Sequence, residues 1–195
     1  MQKILWIDFE TGGLNPKDCD ITQAAGIIEI DGKVVEEFEL LARPDSPARV
    51  SAEALRVTGQ TLEQVMAHPL SQRELYGKLL ALFGRHVDKF KKSDKFIWAG
   101  QNPRFDMDFA RALWTRSGDT YFGSWFWGTP VDLIELSMIL RMRGQMAPLL
   151  SYKLSNIAEH LGVSLDAHKA IEDVRATREC FYKLIERIPA GTVAA

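Results

Sequence analysis

The sequence predicts an α/β protein in which helices flank one mixed β-sheet. Two observations lead to this prediction. The first 43 residues contain three apolar or alternating runs of the kind that forms strands. From Ser51 onward, apolar residues recur at helical spacing, with further short strand-like runs between the helical segments. This order of elements indicates an antiparallel meander that right-handed crossovers extend into a mixed sheet.

The three predicted N-terminal strands cover residues 3–9, 21–30 and 33–42. Between the second and third strands stands Asp31-Gly32, which is a strong hairpin signal because both residues accept a positive φ. In the first strand, Leu5, Ile7 and Phe9 alternate with residues that face the other side of the sheet.

Helical spacing then marks the segments that connect and cover the strands. The first long helix carries Leu75, Leu79, Leu80, Leu82 and Phe83. A short buried strand at 96–99 follows, and Phe105, Phe109 and Leu113 form an i, i+4, i+8 stripe on the next helix.

The C-terminal part is predicted to be mostly helical. Pro130-Val131-Asp132 is expected to begin a helix whose inward residues are Leu133, Leu136, Ile139 and Leu140. A short helix at 154–161 ends at Gly162, and a last helix carries Ile171, Val174, Phe181 and Leu184.

Composition agrees with an ordinary globular protein. The chain has 195 residues, of which 46% are hydrophobic and 26% charged, and its net charge is −2. These values exclude disordered and collagen-like classes. Two cysteines outside any metal-binding spacing argue against a structural zinc site and favour a cytoplasmic location. We expect one domain over residues 1–189 and a short flexible tail over 190–195.

Two acidic residues lie near the carboxyl end of the first predicted strand. Asp8 and Glu10 are two positions apart, so their side chains project from the same face. Open α/β sheets bind ligands at the carboxyl ends of their strands, and a divalent cation relieves the repulsion between neighbouring carboxylates. Because such a pair is also common in solvated turns, the pair alone leaves both interpretations open.

A tight turn, Thr11-Gly12-Gly13-Leu14, follows Glu10. Its backbone amides could approach a phosphate or a sugar closely, because glycine carries no side chain. Leu14 would then be an exposed apolar residue that contacts a base. The alternative is a plain turn in which Leu14 folds back onto the core.

Three more polar residues stand at the start of predicted helices. Asp106 lies in a first helical turn after a strand end, where an acidic residue also complements the helix dipole. Asp173 borders the buried stripe of the last helix, where an unpaired carboxylate is costly. His168 is predicted on the loop that enters that helix, a position where histidine is often only a surface or capping residue.

Together these segments resemble the three exonuclease motifs of the DEDD superfamily, histidine subtype. The similarity rests on residues 6–14 (WIDFETGGL), Asn102-x-x-Phe105-Asp106 and His168-x-x-x-x-Asp173, in this order. It extends from residue 3 to about residue 184. The resemblance implies a ribonuclease-H-like fold with a five-stranded mixed sheet of order 3-2-1-4-5. It also implies 3′→5′ exonuclease activity that releases nucleoside 5′-monophosphates.

The resemblance further implies a two-metal-ion mechanism with Mg²⁺, for which Mn²⁺ substitutes. Asp8 would bridge both cations, Glu10 and Asp173 would complete one site, Asp106 would support the second, and His168 would be the general base. The residues that would hold the terminal nucleotide are Thr11, Gly12, Leu14, Asn102 and Phe105.

Substrate and partners are left open by the sequence. We expect a single-stranded DNA 3′ end as substrate, with an exoribonuclease of the same family or a non-catalytic nucleic-acid or polymerase interaction module as alternatives. A polymerase or repair partner and the oligomeric state stay undecided.

Two other kinds of segment have more than one interpretation. The aromatic segment 121–127 (YFGSWFW) is either packing between a helix and an edge strand or a base-stacking platform built on Trp125 and Trp127. The basic stretches 85–95 and 136–158 are either solvated faces or contacts for a nucleic-acid backbone.

Overall fold

A computed structural model describes residues 1–165 and 169–189 of the chain. Its centre is a five-stranded mixed sheet of order β3-β2-β1-β4-β5, as predicted. The strands are β1 (Lys3–Thr11), β2 (Ile21–Ile30), β3 (Lys33–Leu41), β4 (Ile97–Gly100) and β5 (Val131–Asp132). β1 pairs antiparallel with β2 and parallel with β4, so β1 lies at the centre of the sheet.

The hairpin between β2 and β3 forms where the sequence predicts it. Asp31 and Gly32 both adopt positive φ angles, 48° and 79°, as a two-residue hairpin turn requires. This turn fixes the register in which Ile30 pairs with Lys33.

Seven α-helices cover the sheet within the described residues. They are α1 (Ala52–Thr58), α2 (Leu62–Met66), α3 (Gln72–Gly84), α4 (Pro103–Arg116), α5 (Leu133–Met142), α6 (Leu154–Leu161) and α7 (Ala170–Ile185). Capping boxes start α2 at Thr61 and α3 at Ser71, and Gly162 ends α6 in the left-handed conformation. None of the helices in these ranges is both long and apolar enough to cross a membrane.

The core lies on both faces of the sheet. On one face, Leu5, Ile7 and Phe9 pack with apolar residues of α3 and α4. On the other face, Ile4 and Trp6 pack with α7, whose contacting residues include Ala170, Val174 and Phe181. The alternation predicted for β1 is therefore confirmed, and it places Asp8 and Glu10 on the α7 side.

The prediction that Pro130-Val131-Asp132 begins a helix is wrong. Val131 and Asp132 form β5 by pairing with the end of β4, and α5 begins only at Leu133. A short edge strand cannot be distinguished from a helix start by local pattern, because its partner is distant in sequence. Ile139, predicted to face inward, is 53% exposed, and the buried ridge of α5 instead contains Ser137.

The aromatic segment 121–127 packs mainly into the core. Phe122, Trp125 and Phe126 are buried, and Phe126 forms a β-bridge with Phe96, which precedes β4. A platform built on Trp125 is therefore wrong, because its ring is enclosed by the protein. The bridge also places this segment at the start of β4, whereas Asp8 and Glu10 lie near the carboxyl end of β1.

Candidate active site

Three carboxylates from two distant parts of the chain meet at the carboxyl edge of the sheet. Asp8 and Glu10 stand on the last part of β1, and Asp173 stands in the first turn of α7. One carboxylate oxygen of each lies within 4.8 Å of the others. The structure thus brings together three of the five predicted catalytic residues at ligand-binding distance.

Asp106 joins the site from α4 and is 3% exposed. Its Oδ1 accepts a hydrogen bond of 2.9 Å from the amide of Phe9, which lies between Asp8 and Glu10. β4 pairs with β1 only over Ile4–Trp6, so the Asp106 carboxylate satisfies an amide of β1 beyond that pairing. Asp106 therefore braces the backbone that carries the other two carboxylates, while its neighbour Asp108 is exposed as expected.

Bringing these groups together is electrostatically costly. Desolvation, followed by the charges of Glu10 and Asp173, raises the pKa of Asp8 to about 8 from its ordinary value of 3.8. Desolvation and the charge of Asp8 likewise raise the pKa of Asp106, although the hydrogen bond from Phe9 opposes the shift.

The donor set fits a hard divalent cation. The cluster consists of carboxylates alone, which are the ligands that Mg²⁺ and Mn²⁺ prefer. A cation there would reverse the electrostatic penalty, because it favours the ionised form of every member. Asp8, Glu10 and Asp173 are thus the residues that could hold a metal ion, with Asp106 beside them.

A cleft of about 660 Å³ lies next to the carboxylates. Glu10, Thr11, Leu14 and Phe105 are among its lining residues. Leu14 is 86% exposed at this cleft, so it does not fold back onto the core. The Phe105 ring is partly buried and packs on Phe109, with ring centroids 5.0 Å apart. These residues offer an apolar surface suited to a base or sugar.

The turn before Leu14 is shaped by the protein's own backbone. The Gly12 amide donates a 2.8 Å hydrogen bond to the Asp20 carbonyl, and a Cβ at Gly12 would lie 2.2 Å from the Arg49 carbonyl oxygen. The Thr11 hydroxyl donates to the Gly13 carbonyl at 2.7 Å. The absence of a side chain at Gly12 thus serves a close approach of Arg49, whereas the sequence suggested an approach of the ligand.

Asn102 and His168 complete the predicted set. Asn102 is exposed at the start of α4 with φ 52°. Its backbone amide donates a hydrogen bond to the carboxylate of Asp132, which caps α5. Asparagine tolerates this left-handed conformation better than most residues. His168 lies outside the described residues.

Part of the cleft wall lies outside the residues that were predicted to hold the terminal nucleotide. α1 and the residue before it contribute Ser51, Glu53, Ala54, Val57 and Thr58, and Cys19 adds a thiol from the other side. The available signal was the segment Val57-Thr58-Gly59, which also resembles the family's sequences. In the structure Val57 is exposed on a short helix that has no buried residue. Of the two basic stretches, 136–158 reaches this edge of the sheet, because Gln101 donates to the carbonyl of Tyr152.

Comparison with known proteins identifies similar sequences. The family model RNase_T, described as Exonuclease, matches residues 5–181. A DNA polymerase III PolC-type protein of Thermotoga petrophila is 27% identical over 183 residues, covering 92% of this chain and 12% of that protein. Its counterpart in Caldanaerobacter subterraneus is 29% identical over 182 residues, covering 93% of this chain and 11% of that protein. The chain therefore spans 12% or less of the length of these relatives.

Solved structures of exonuclease I share the fold. The Methylocaldum szegediense enzyme superimposes with a TM-score of 0.80 at 24% identity, covering 97% of this chain and 42% of that chain. E. coli exonuclease I in complex with a dA16 oligonucleotide gives a TM-score of 0.78 at 23% identity, covering 97% of this chain and 41% of that chain. The zinc-bound form of the E. coli enzyme's complex with single-stranded DNA gives a TM-score of 0.81 at 22% identity, covering 97% of this chain and 42% of that chain.

Proposed function

Since the exonuclease model matches residues 5–181, this chain belongs to that family within the DEDD superfamily, and we propose that it is a metal-dependent 3′→5′ exonuclease acting on single-stranded DNA. The observation that carries the proposal is the meeting of Asp8, Glu10 and Asp173 beside an apolar cleft. The carboxylates supply metal ligands, and the cleft supplies a place for the terminal nucleotide.

In this proposal the chain's own residues divide the work. Asp8, Glu10 and Asp173 would hold divalent cations, Mg²⁺ or in its place Mn²⁺, and Asp106 would support the second cation. Asp106 also fixes β1 beneath them through its hydrogen bond from Phe9. Such cations activate water and stabilise charge on a phosphate. Leu14 and Phe105 contact the terminal nucleotide and keep water from its apolar faces. His168 is the proposed proton acceptor for the attacking water.

Single-stranded DNA is the proposed substrate for two reasons. Exonuclease I, which shares the fold, has been solved with a DNA oligonucleotide, and the two sequence relatives compared above are DNA polymerase III PolC-type proteins. The cleft is also lined by exposed apolar side chains, which suit an unpaired base better than a base held within a duplex. RNA of the same sequence is the competing substrate, because the 2′-hydroxyl is the feature that the pocket must accept or reject.

The extent of the domain and the location of the protein are part of the same proposal. We take residues 1–189 as one exonuclease domain, since α7 packs on β1 and β2 and so ties both ends of this range together. Residues 190–195 lie outside the described residues. The two cysteines are unpaired in the structure, in keeping with a cytoplasmic location.

A product ladder tests the activity. DNA and RNA oligonucleotides of one sequence, labelled at the 5′ end, are incubated with Mg²⁺, with Mn²⁺ and with EDTA. We expect stepwise shortening of DNA from the 3′ end, and loss of that shortening with EDTA or in Asp8→Ala. Asp108→Ala is the matched control, because it removes an exposed aspartate from α4.

Other outcomes have definite meanings. If RNA were shortened faster than DNA, RNA would take the place of DNA as the proposed substrate. If a folded, metal-binding protein shortened neither strand, the exonuclease proposal would fail, and a non-catalytic interaction module would replace it.

A further inference from the structure

Glu29 of β2 is a buried carboxylate outside the metal-binding cluster. It is 1% exposed and accepts hydrogen bonds from three side chains. The Trp6 indole donates at 3.2 Å, Arg178 Nε donates at 2.7 Å, and the Tyr182 hydroxyl donates to the other oxygen. Both carboxylate oxygens of Glu29 therefore accept hydrogen bonds, although neither the cleft nor the three-carboxylate cluster includes this residue.

These partners belong to the two elements that supply the cluster. Trp6 precedes Asp8 by two residues on the same face of β1. Arg178 and Tyr182 lie on α7, five and nine residues after Asp173. At a rise of about 1.5 Å per residue, they stand roughly 7 and 13 Å along the helix from Asp173. Glu29 thus joins the strand of Asp8 and Glu10 to the helix of Asp173.

α7 packs on the sheet through an apolar cluster, in which Trp6 contacts Phe181 with ring centroids 5.1 Å apart and other contacts lie nearer Asp173. The contacts there are made largely by small or aliphatic residues, such as Ala25, Ala170 and Val174. Such contacts hold helix and sheet together but are non-directional. Hydrogen bonds to a buried carboxylate are directional, and a buried charge is poor evidence for a role in stability alone.

We propose that Glu29 is a positioning residue: it fixes the axial position and rotation of α7 so that Asp173 stands beside Asp8 and Glu10. The inference rests on the proposed metal-dependent function, but it concerns how the cluster is assembled. Glu29 belongs neither to the carboxylate cluster nor to the cleft lining, and it acts through Arg178 and Tyr182.

The test is a direct measurement of metal affinity in folded protein. Mn²⁺ is titrated calorimetrically into the wild type and Glu29→Gln, well below the unfolding transition of each, which circular dichroism locates. We expect Mn²⁺ to bind Glu29→Gln about 10-fold or more weakly, as is typical when the groups that orient metal ligands are removed. Tyr182→Phe removes only one hydrogen bond and is expected to show a smaller loss in the same direction.

Glu37→Gln is the matched control. Glu37 also pairs with α7, through Arg175, but both side chains are substantially exposed. Breaking this surface pair is expected to leave Mn²⁺ affinity unchanged.

The possible results separate the inference from the proposed function. If folded Glu29→Gln and Tyr182→Phe bind Mn²⁺ as tightly as the wild type and only unfold at a lower temperature, the positioning role is overturned. Nuclease activity of the wild type would be unaffected by that result. Weakened affinity in a protein whose wild type shortens no oligonucleotide would support the positioning role and reject the nuclease. If Glu29→Gln does not fold, the Tyr182→Phe titration decides.

Discussion

At the scale of single residues, Asp8 shows what the site costs the metal-free protein. Its side chain is partly buried between Glu10 and Asp173, and no basic group is among the causes that shift its pKa. The same arrangement that would attract a divalent cation therefore destabilises the fold when the cation is absent. Function and stability oppose each other at this position.

The first prediction concerns the pH dependence of this cost. A carboxyl pKa of about 8 in the folded protein, against 3.8 ordinarily, means that the folded state binds more protons between these values. The free energy of unfolding should therefore fall as pH rises through this window. In EDTA at pH 8, Asp8→Asn should be more stable than the wild type by roughly 1–3 kcal/mol.

Urea unfolding at pH 5 and pH 8 checks this expectation. The advantage of Asp8→Asn should shrink at pH 5, where the wild-type carboxyl is already protonated in the folded state. An equal difference at both values would contradict the assignment of the cost to ionisation of Asp8.

The second prediction concerns two glycines with different surroundings. At Gly12 a Cβ would collide with the Arg49 backbone, whereas at Gly77 on α3 no atom lies within 4 Å of the added group. Gly12→Ala should lower the free energy of unfolding by about 1–3 kcal/mol. Gly77→Ala should raise it by about 0.5–1 kcal/mol, because alanine is the better helix former. Chemical denaturation of both variants tests the pair, and a neutral Gly12→Ala would show that Arg49 can move away.

At the scale of elements, the aromatic segment shows how neighbouring residues of one type take different roles. Trp125 contacts Phe83 of α3, with ring centroids 6.3 Å apart, and is 4% exposed. Two residues later, Trp127 is 44% exposed, and Lys95 lies 5.5 Å from its ring. The first tryptophan therefore joins helix and sheet, while the second lies at the surface.

The third prediction follows from this difference. Trp125→Ala should cost about 3–5 kcal/mol of stability, because it empties a large buried volume. Trp127→Ala should cost less than about 1 kcal/mol, since only a cation–π contact and partial burial are lost. Thermal unfolding of the two variants distinguishes them. Equal losses would mean that the segment is packed differently.

At the scale of the whole molecule, the candidate site exists only in the folded chain. β1 supplies two of the clustered carboxylates, α7 supplies the third, and α4 supplies the buried Asp106 that braces β1. Because these elements are far apart in sequence, the unfolded chain holds no comparable cluster. Metal binding and global folding are thereby linked.

The fourth prediction expresses that linkage. At a Mn²⁺ concentration 100 times its dissociation constant, the wild type should gain about 2.7 kcal/mol in free energy of unfolding. Asp173→Asn should gain much less at the same concentration, because it loses one of the three clustered ligands. Denaturation with Mn²⁺ and with EDTA measures both gains. An equal gain in the variant would place the cation elsewhere.

Local sequence was enough to determine the strands of the meander, the hairpin at Asp31-Gly32 and most of the helices. Hydrophobic periodicity and turn chemistry act over a few residues, so they can be interpreted without the fold. Asp8, Glu10, Asp106 and Asp173 were predicted as a set only through the resemblance of three separated motifs to those of the DEDD superfamily.

Tertiary structure alone decided the rest. β5 exists because β4 lies beside it, Gly12 is required because Arg49 approaches it, and Trp125 is buried because Phe83 covers it. The α1 wall of the cleft and the link from Glu29 to α7 also join residues distant in sequence. Contacts of this kind depend on how elements pack in three dimensions, and no local pattern of residues encodes them.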